Sequence, residues 1–175
     1  MSVAVIEREA PVSSLDGLNF ESEKPMADML REAPLFSCLD AGERERIASF
    51  AFRRVFAPGE LIVEEGRTAN GLFVIVRGRV NIVKGADTDR PQVVATLSAG
   101  EPIGEMEVLA EWPRTASAVA VEPTEVIGMD SWVFMDYVAS QPRLAVRLAQ
   151  VLARRLATTS EQVAYLRLYA LARGS

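Results

Sequence analysis

The sequence predicts an α+β protein in which an antiparallel β-roll or barrel lies between helical segments. Seven of the eleven glycines fall between residues 59 and 104, where they separate short runs rich in β-branched residues. Helical periodicity is found on both sides of this region. Short strands joined by glycine turns are typical of rolls and barrels and not of a parallel sheet.

The first half of the chain begins with a polar segment and continues with helical signals. Residues 1–24 mix Ser, Glu, Pro and Gly with little periodicity, and we expect a flexible or loosely docked tail there. The domain itself is predicted for residues 25–175. Asp40 can cap a helix, and Glu43 three residues later completes a capping box. Ile47, Phe50 and Ala51 are expected to follow on one face of that helix.

The β region is predicted for about residues 52–129, with the turn dipeptide Pro58-Gly59 near its start. About eight short strands are expected, six of them at 61–63, 72–76, 80–83, 93–97, 116–121 and 126–129.

The chain returns to helix over about residues 130–173. Ser140-Gln141 and Pro142 indicate a break between two helices. The second helix carries apolar residues at steps of three and four, with one polar gap. These are Leu144, Leu148, Leu152, Leu156, Val163, Leu166 and Ala170.

Composition excludes several kinds of site. The chain has one cysteine and no histidine, so it contains no internal disulfide, no cysteine–histidine metal site and no histidine base for catalysis. We expect Cys38 to be a small buried hydrophobe, with a redox role as the alternative. The net charge of −5 argues mildly against nucleic acid as a partner. The sequence shows no signal peptide and no bilayer-length apolar run, so we expect a cytoplasmic protein.

Residues 103–117 combine groups that suit a sugar phosphate. Gly104 permits a close backbone approach, and Glu105 can accept hydrogen bonds from a sugar diol. Met106 begins a short apolar run with the length of one or two helical turns. Arg114 offers a guanidinium fork to a phosphate. The alternative interpretation is a polar loop with a surface salt bridge between Glu105 and Arg114.

Gly104-Glu105, followed nine residues later by Arg114-Thr115-Ala116, resembles the phosphate-binding cassette of the cyclic-nucleotide-binding domain family. The resemblance covers about residues 25–173 and implies an eight-stranded β-roll, or jelly roll, with a long C-terminal dimerisation helix. It assigns the ribose 2′-hydroxyl to Glu105 and the cyclic phosphate to Arg114.

The C-terminal helix resembles that of the catabolite activator branch of this family, which senses cAMP. The resemblance implies a homodimer through residues 143–172, with Thr159 and Ser160 meeting the adenine and the serine reaching the nucleotide of the other subunit. The alternative is that both side chains lie on a solvated helix face. We expect Arg154 and Arg155 to be surface or interface charges.

One residue departs from the family pattern. Family members usually have a small residue two positions after the glutamate, where the backbone meets the phosphate, but this chain has Met106 and then Glu107. A carboxylate there repels the phosphate unless it turns outward or pairs with an arginine.

The identity of the nucleotide is left open by the motifs. Thr115 beside Arg114 resembles members of the family that bind cGMP, whereas the Thr159-Ser160 pair favours adenine. We therefore expect cAMP first, cGMP second, and another cyclic nucleotide or none third.

Three functions are compatible with these features. The first is a non-enzymatic cAMP sensor that signals to an unknown protein partner, without cofactor, metal, direct DNA binding or membrane contact. The second is an interaction module that no longer binds nucleotide. The third is the sensory half of a DNA-binding regulator, because too few residues follow position 173 to form a helix-turn-helix. No motif supplies a nucleophile–base pair or a metal cluster, so we expect no enzyme.

Overall fold

A computed structural model describes residues 24–173, so all but the last residue of the predicted tail lies outside the described residues. Helices lie at both ends of the described chain, and eight strands with one inserted helix lie between them. The elements are α1 (Met26–Glu32), a 3₁₀ turn (Pro34–Phe36), α2 (Ala41–Ala48), β1 (Phe52–Phe56), β2 (Leu61–Val63), β3 (Gly71–Arg77), β4 (Arg79–Lys84), β5 (Gln92–Ser98), β6 (Pro102–Ile103), α3 (Glu105–Ala110), β7 (Ser117–Ala120), β8 (Thr124–Asp130), α4 (Ser131–Ser140) and α5 (Pro142–Arg173).

The strands form two four-stranded sheets, with the orders β1-β8-β3-β6 and β2-β7-β4-β5. All strand pairs are antiparallel. This confirms the predicted eight-stranded antiparallel β-roll with helices at both ends. The six strands expected from the sequence are present, and β1 and β6 are the two that the pattern did not single out.

Two hydrophobic clusters hold the domain together. One lies inside the roll and includes Phe56, Ile75 and Val126. The other joins the roll to the helices, and it includes Phe134 of α4 and Leu144 of α5. Because the second cluster contains residues of both ends of the chain, it fixes the first turns of α5 against the roll.

The capping box at the start of α2 is present. The backbone N–H of Glu43 donates to Asp40 Oδ1 at 2.8 Å, and the N–H of Asp40 donates to Glu43 Oε2 at 2.7 Å. The expectation for Phe50 was wrong, because α2 ends at Ala48 and the Phe50 side chain is 45% exposed. The Ser49 hydroxyl donates to the carbonyl oxygen of Arg46 at 2.7 Å and closes the last turn of this helix.

Helix α5 has two unlike halves. Leu144 and Leu148 are buried against the domain, whereas every residue from 156 to 169 is exposed. The second half therefore projects from the domain by about 20 Å at 1.5 Å per residue. Within residues 24–173, none of the helices has the length and apolar character needed to cross a bilayer.

Candidate ligand-binding site

Gly104 connects β6 to α3 in a conformation that favours glycine. Its φ is +80°, and a Cβ atom placed on it would lie 1.9 Å from Nη1 of Arg114. The close approach predicted at Gly104 is therefore present, and the approaching group is the Arg114 guanidinium. A larger residue would strain the backbone and displace the guanidinium.

Arg114 is buried and held by the backbone. Its Nη1 donates to the carbonyl oxygen of Gly104 at 3.0 Å, and its Nη2 donates to the carbonyl oxygen of Gly71 at the start of β3. The backbone N–H of Arg114 donates to the carbonyl oxygen of Arg67 at 2.8 Å. Burial lowers the pKa of Arg114, and the nearby charges of Glu107 and Glu105 oppose that shift.

Glu107 is also buried, and it faces Arg114. Its Oε2 lies 3.8 Å from Nη1 of Arg114. Its Oε1 accepts from the Thr115 hydroxyl at 2.5 Å and from the Thr115 N–H at 3.4 Å. The Glu107 side chain therefore does not turn outward, and the arginine it pairs with is Arg114, the residue that the resemblance assigns to the phosphate.

Glu105 is fully buried and is paired with α5. Its Oε1 accepts from Nη1 of Arg155 at 2.5 Å, and Nη2 of Arg155 donates to the carbonyl oxygen of Pro102 at 2.6 Å. Among the described residues, Oε2 of Glu105 has no hydrogen-bond partner. Burial raises the pKa of Glu105, the Arg155 charge opposes that shift, and the Glu107 charge adds to it.

Two sequence-based expectations are corrected here. Arg155 is not simply a surface charge, because it is half-buried and ion-paired with Glu105. The surface salt bridge considered between Glu105 and Arg114 is replaced by two buried pairs, Glu105–Arg155 and Glu107–Arg114. The only signal for Arg155 was its position one helical turn before Thr159, on the same face of α5.

The structure therefore brings together five of the eight residues singled out from the sequence. These are Gly104, Glu105, Glu107, Arg114 and Thr115. The side chains of Met106, Thr159 and Ser160 are exposed. Thr159 lies about 6 Å along α5 from Arg155, and Ser160 lies about 140° around the helix from Arg155.

Two surface clefts lie elsewhere on the domain. One of about 360 Å³ is lined by Cys38, Arg143 and Arg147, and one of about 240 Å³ by Phe50 and Trp132 with their neighbours. Cys38 is half-buried and free. No three acidic or cysteine side chains within residues 24–173 form a group that could hold a metal ion.

A sequence model of the family described as "Cyclic nucleotide-binding domain" matches residues 53–141, about half of the chain. The chain belongs to the cyclic nucleotide-binding domain family. The matched range includes both carboxylates of the site, Glu105 and Glu107, and also Arg114. It ends before Arg155 and the Thr159-Ser160 pair.

Known members of this family are similar to the chain over most of its length. The cyclic AMP receptor protein of Thermus thermophilus is 33% identical over 127 residues, which are 73% of this chain and 59% of that protein. A CRP-like cAMP-activated global transcriptional regulator of Mycobacterium tuberculosis is 29% identical over 62% of this chain and 49% of its own length. The crystal structure of a cyclic nucleotide-binding domain from Methylobacillus flagellatus superposes with a TM-score of 0.66 at 25% identity, covering 79% of this chain and 80% of that one. The chain thus spans about half to three fifths of these two curated relatives.

Proposed function

We propose that this chain is a non-enzymatic sensor that binds cAMP and passes the signal through α5. The observation that carries the proposal is the pair of buried groups on either side of Gly104, the Glu105 carboxylate and the Arg114 guanidinium. A carboxylate suits the hydroxyls of a ribose, and a guanidinium suits a phosphate. Both groups lie within the range matched by the family.

The sugar would bind at Glu105. Its Oε2 is buried and has no hydrogen-bond partner among the described residues, so a hydroxyl that reached it would break no existing hydrogen bond. A ribose hydroxyl that also used Oε1 would compete with Arg155 for it. Nucleotide binding would therefore change how firmly α5 is held to the domain, which gives the signal a physical route.

The preference for adenine has two supports. The relatives from T. thermophilus and M. tuberculosis are both named for cAMP, and the exposed Thr159 lies one turn beyond Arg155 on the same helix face. cGMP is the second candidate, because Thr115 is exposed and lies beside Arg114.

We further propose that the sensor is a parallel homodimer through α5. The exposed fractions of Leu156, Val163 and Leu166 are 68%, 43% and 62%, and these residues share one helix face. An exposed apolar stripe on a projecting helix favours a coiled-coil partner, and a two-fold pairing closes the assembly. In such a pair Ser160, which faces away from its own Arg155, can reach the nucleotide of the other copy.

Calorimetry with cAMP tests the binding function. Replacing Arg114 with Leu removes a buried charged contact to the phosphate, and loss of such contacts costs about 2–5 kcal/mol. We expect binding to weaken at least about thirtyfold. Arg67→Leu, which removes an exposed arginine from the neighbouring loop, should leave the affinity within about twofold.

Arg114 also holds two backbone carbonyls, so folding of each variant must be checked by thermal melting. Arg114→Lys keeps the charge without the fork and should give an intermediate affinity. Equal affinity of the wild type and a folded Arg114→Leu protein would remove the assigned role.

A further inference from the structure

The Glu107 carboxylate occupies the set of donors that an oxyanion would use. It forms an ion pair with the Arg114 guanidinium at 3.8 Å and accepts hydrogen bonds from the Thr115 hydroxyl and the Thr115 N–H. Charged and neutral donors of this kind are those that hold phosphate oxygens in proteins. We propose that Glu107 is an internal ligand of this anion site, which closes it in the ligand-free protein and must leave before a phosphate can bind. The inference rests on the proposed function and adds a mode of regulation to it.

The burial of Glu107 supports a specific role and argues against a solvated surface charge. Its side chain is 11% exposed and that of Arg114 is 5% exposed. Burying a carboxylate is costly unless it is paired and hydrogen-bonded, and Glu107 is both. A side chain on a six-residue helix beside solvent-exposed Met106 could have pointed outward, but this one is directed at the arginine.

The charges of the site lead to the same conclusion. Glu105 and Glu107 balance Arg114 and Arg155, so the four groups together are neutral when all are charged. A cyclic phosphate would add a third anion to two cations in a partly dry site, where repulsion is stronger than in water. The balance is restored when the Glu107 carboxylate leaves the arginine. Glu107 therefore sets the nucleotide concentration at which the site fills.

Substitutions that remove the Glu107 carboxylate distinguish between two roles of this residue, an internal ligand of the anion site and a purely structural contact. Glu107→Gln keeps the size of the side chain and a hydrogen bond to Thr115 but removes the charge. Glu107→Ala removes the charge and the hydrogen bond. We expect cAMP to bind both variants at least about tenfold more tightly than the wild type. Glu111→Gln removes an exposed carboxylate four residues later and should leave the affinity within about twofold.

The possible outcomes decide between the explanations. Binding by Glu107→Gln but not by the wild type would support the inference in its strongest form, a site closed at rest. If the wild type binds cAMP and both folded variants bind it equally or more weakly, Glu107 is a structural contact and the inference is wrong while the proposed function stands. If none of the proteins binds cAMP or cGMP, the proposed function fails and the inference fails with it.

Discussion

Each carboxylate of the candidate site is paired with an arginine from a different part of the chain. Glu107 is paired with Arg114 from the loop before β7, and Glu105 with Arg155 from α5. The pKa of Glu105 is nevertheless raised, because the cost of burying the carboxylate outweighs the attraction of Arg155. The residue proposed to bind the sugar is therefore also a group whose ionisation opposes folding.

A pH-dependent effect on stability follows for Glu105. Its pKa in the folded protein lies above the usual 4.5, so its contribution to the free energy of unfolding is fully present below 4.5 and is lost as pH rises through the raised pKa. We expect Glu105→Gln to gain stability relative to the wild type as pH rises above about 4.5. Denaturant titrations at a series of pH values measure this.

Glu111→Gln is the control for that experiment, because Glu111 is an exposed carboxylate on the same segment. The difference in the free energy of unfolding between Glu111→Gln and the wild type should not grow as pH rises above about 4.5. The prediction is contradicted if Glu105→Gln and the wild type show parallel pH profiles.

At the level of elements, the site lies where α5 leaves the domain. Leu148 is buried, Arg155 is half-buried and Leu156 is 68% exposed. Arg155 is thus the last residue of α5 before its exposed half, and it is tied to Glu105 and to the carbonyl of Pro102. In the proposed function, a ligand that changed this contact would act at the point where α5 leaves the domain.

The turn into α3 gives a second prediction. Gly104→Ala places a Cβ 1.9 Å from Nη1 of Arg114 and strains a backbone with a φ of +80°. We expect a loss of about 1–2 kcal/mol from the backbone alone and a melting temperature lower by about 2–4 °C per kcal/mol. We also expect cAMP binding at least about tenfold weaker, because the guanidinium is displaced.

Gly59→Ala is the matched control. Gly59 has a φ of +87°, but a Cβ there would meet no heavy atom within 4 Å. This variant should lose comparable stability and keep its affinity for cAMP. An equal loss of affinity in both variants would show that general strain, and not the position of Arg114, is responsible.

At the level of the whole molecule, the exposed half of α5 requires an explanation, and the proposed dimer gives one. Replacing both Leu156 and Val163 with Asp should give a monomer in light scattering, because each protomer would bury two charges at the seam. Leu168→Asp is the control, since Leu168 is as exposed as Leu156 at 68% but lies about 140° around the helix from Val163. A wild-type protein that is monomeric at micromolar concentration, with and without cAMP, would contradict the prediction.

Features that depend on neighbours in the sequence were predictable. The capping box of Asp40 and Glu43 is encoded within four residues, and the β-branched runs with their glycine turns indicated six strands and the antiparallel roll. The two strands that were not singled out are weak local signals. β6 has only two residues, Pro102 and Ile103, and β1 reads Phe-Arg-Arg-Val-Phe, with adjacent arginines in place of a clean alternation.

Local patterns of residue type and spacing were enough to predict the fold class and the short segment that carries Glu105 and Arg114, and the resemblance of that segment to a known cassette identified the family. The pairing of the charges could be seen only in the folded chain. Arg155 reaches Glu105 across a separation of 50 residues, and the buried Glu107 side chain pairs with the buried Arg114. Such pairings depend on which surfaces the packed elements bring together and on the cost of leaving a buried charge without a partner. Neither can be determined from the residues adjacent in the sequence, because both arise only when the chain is folded.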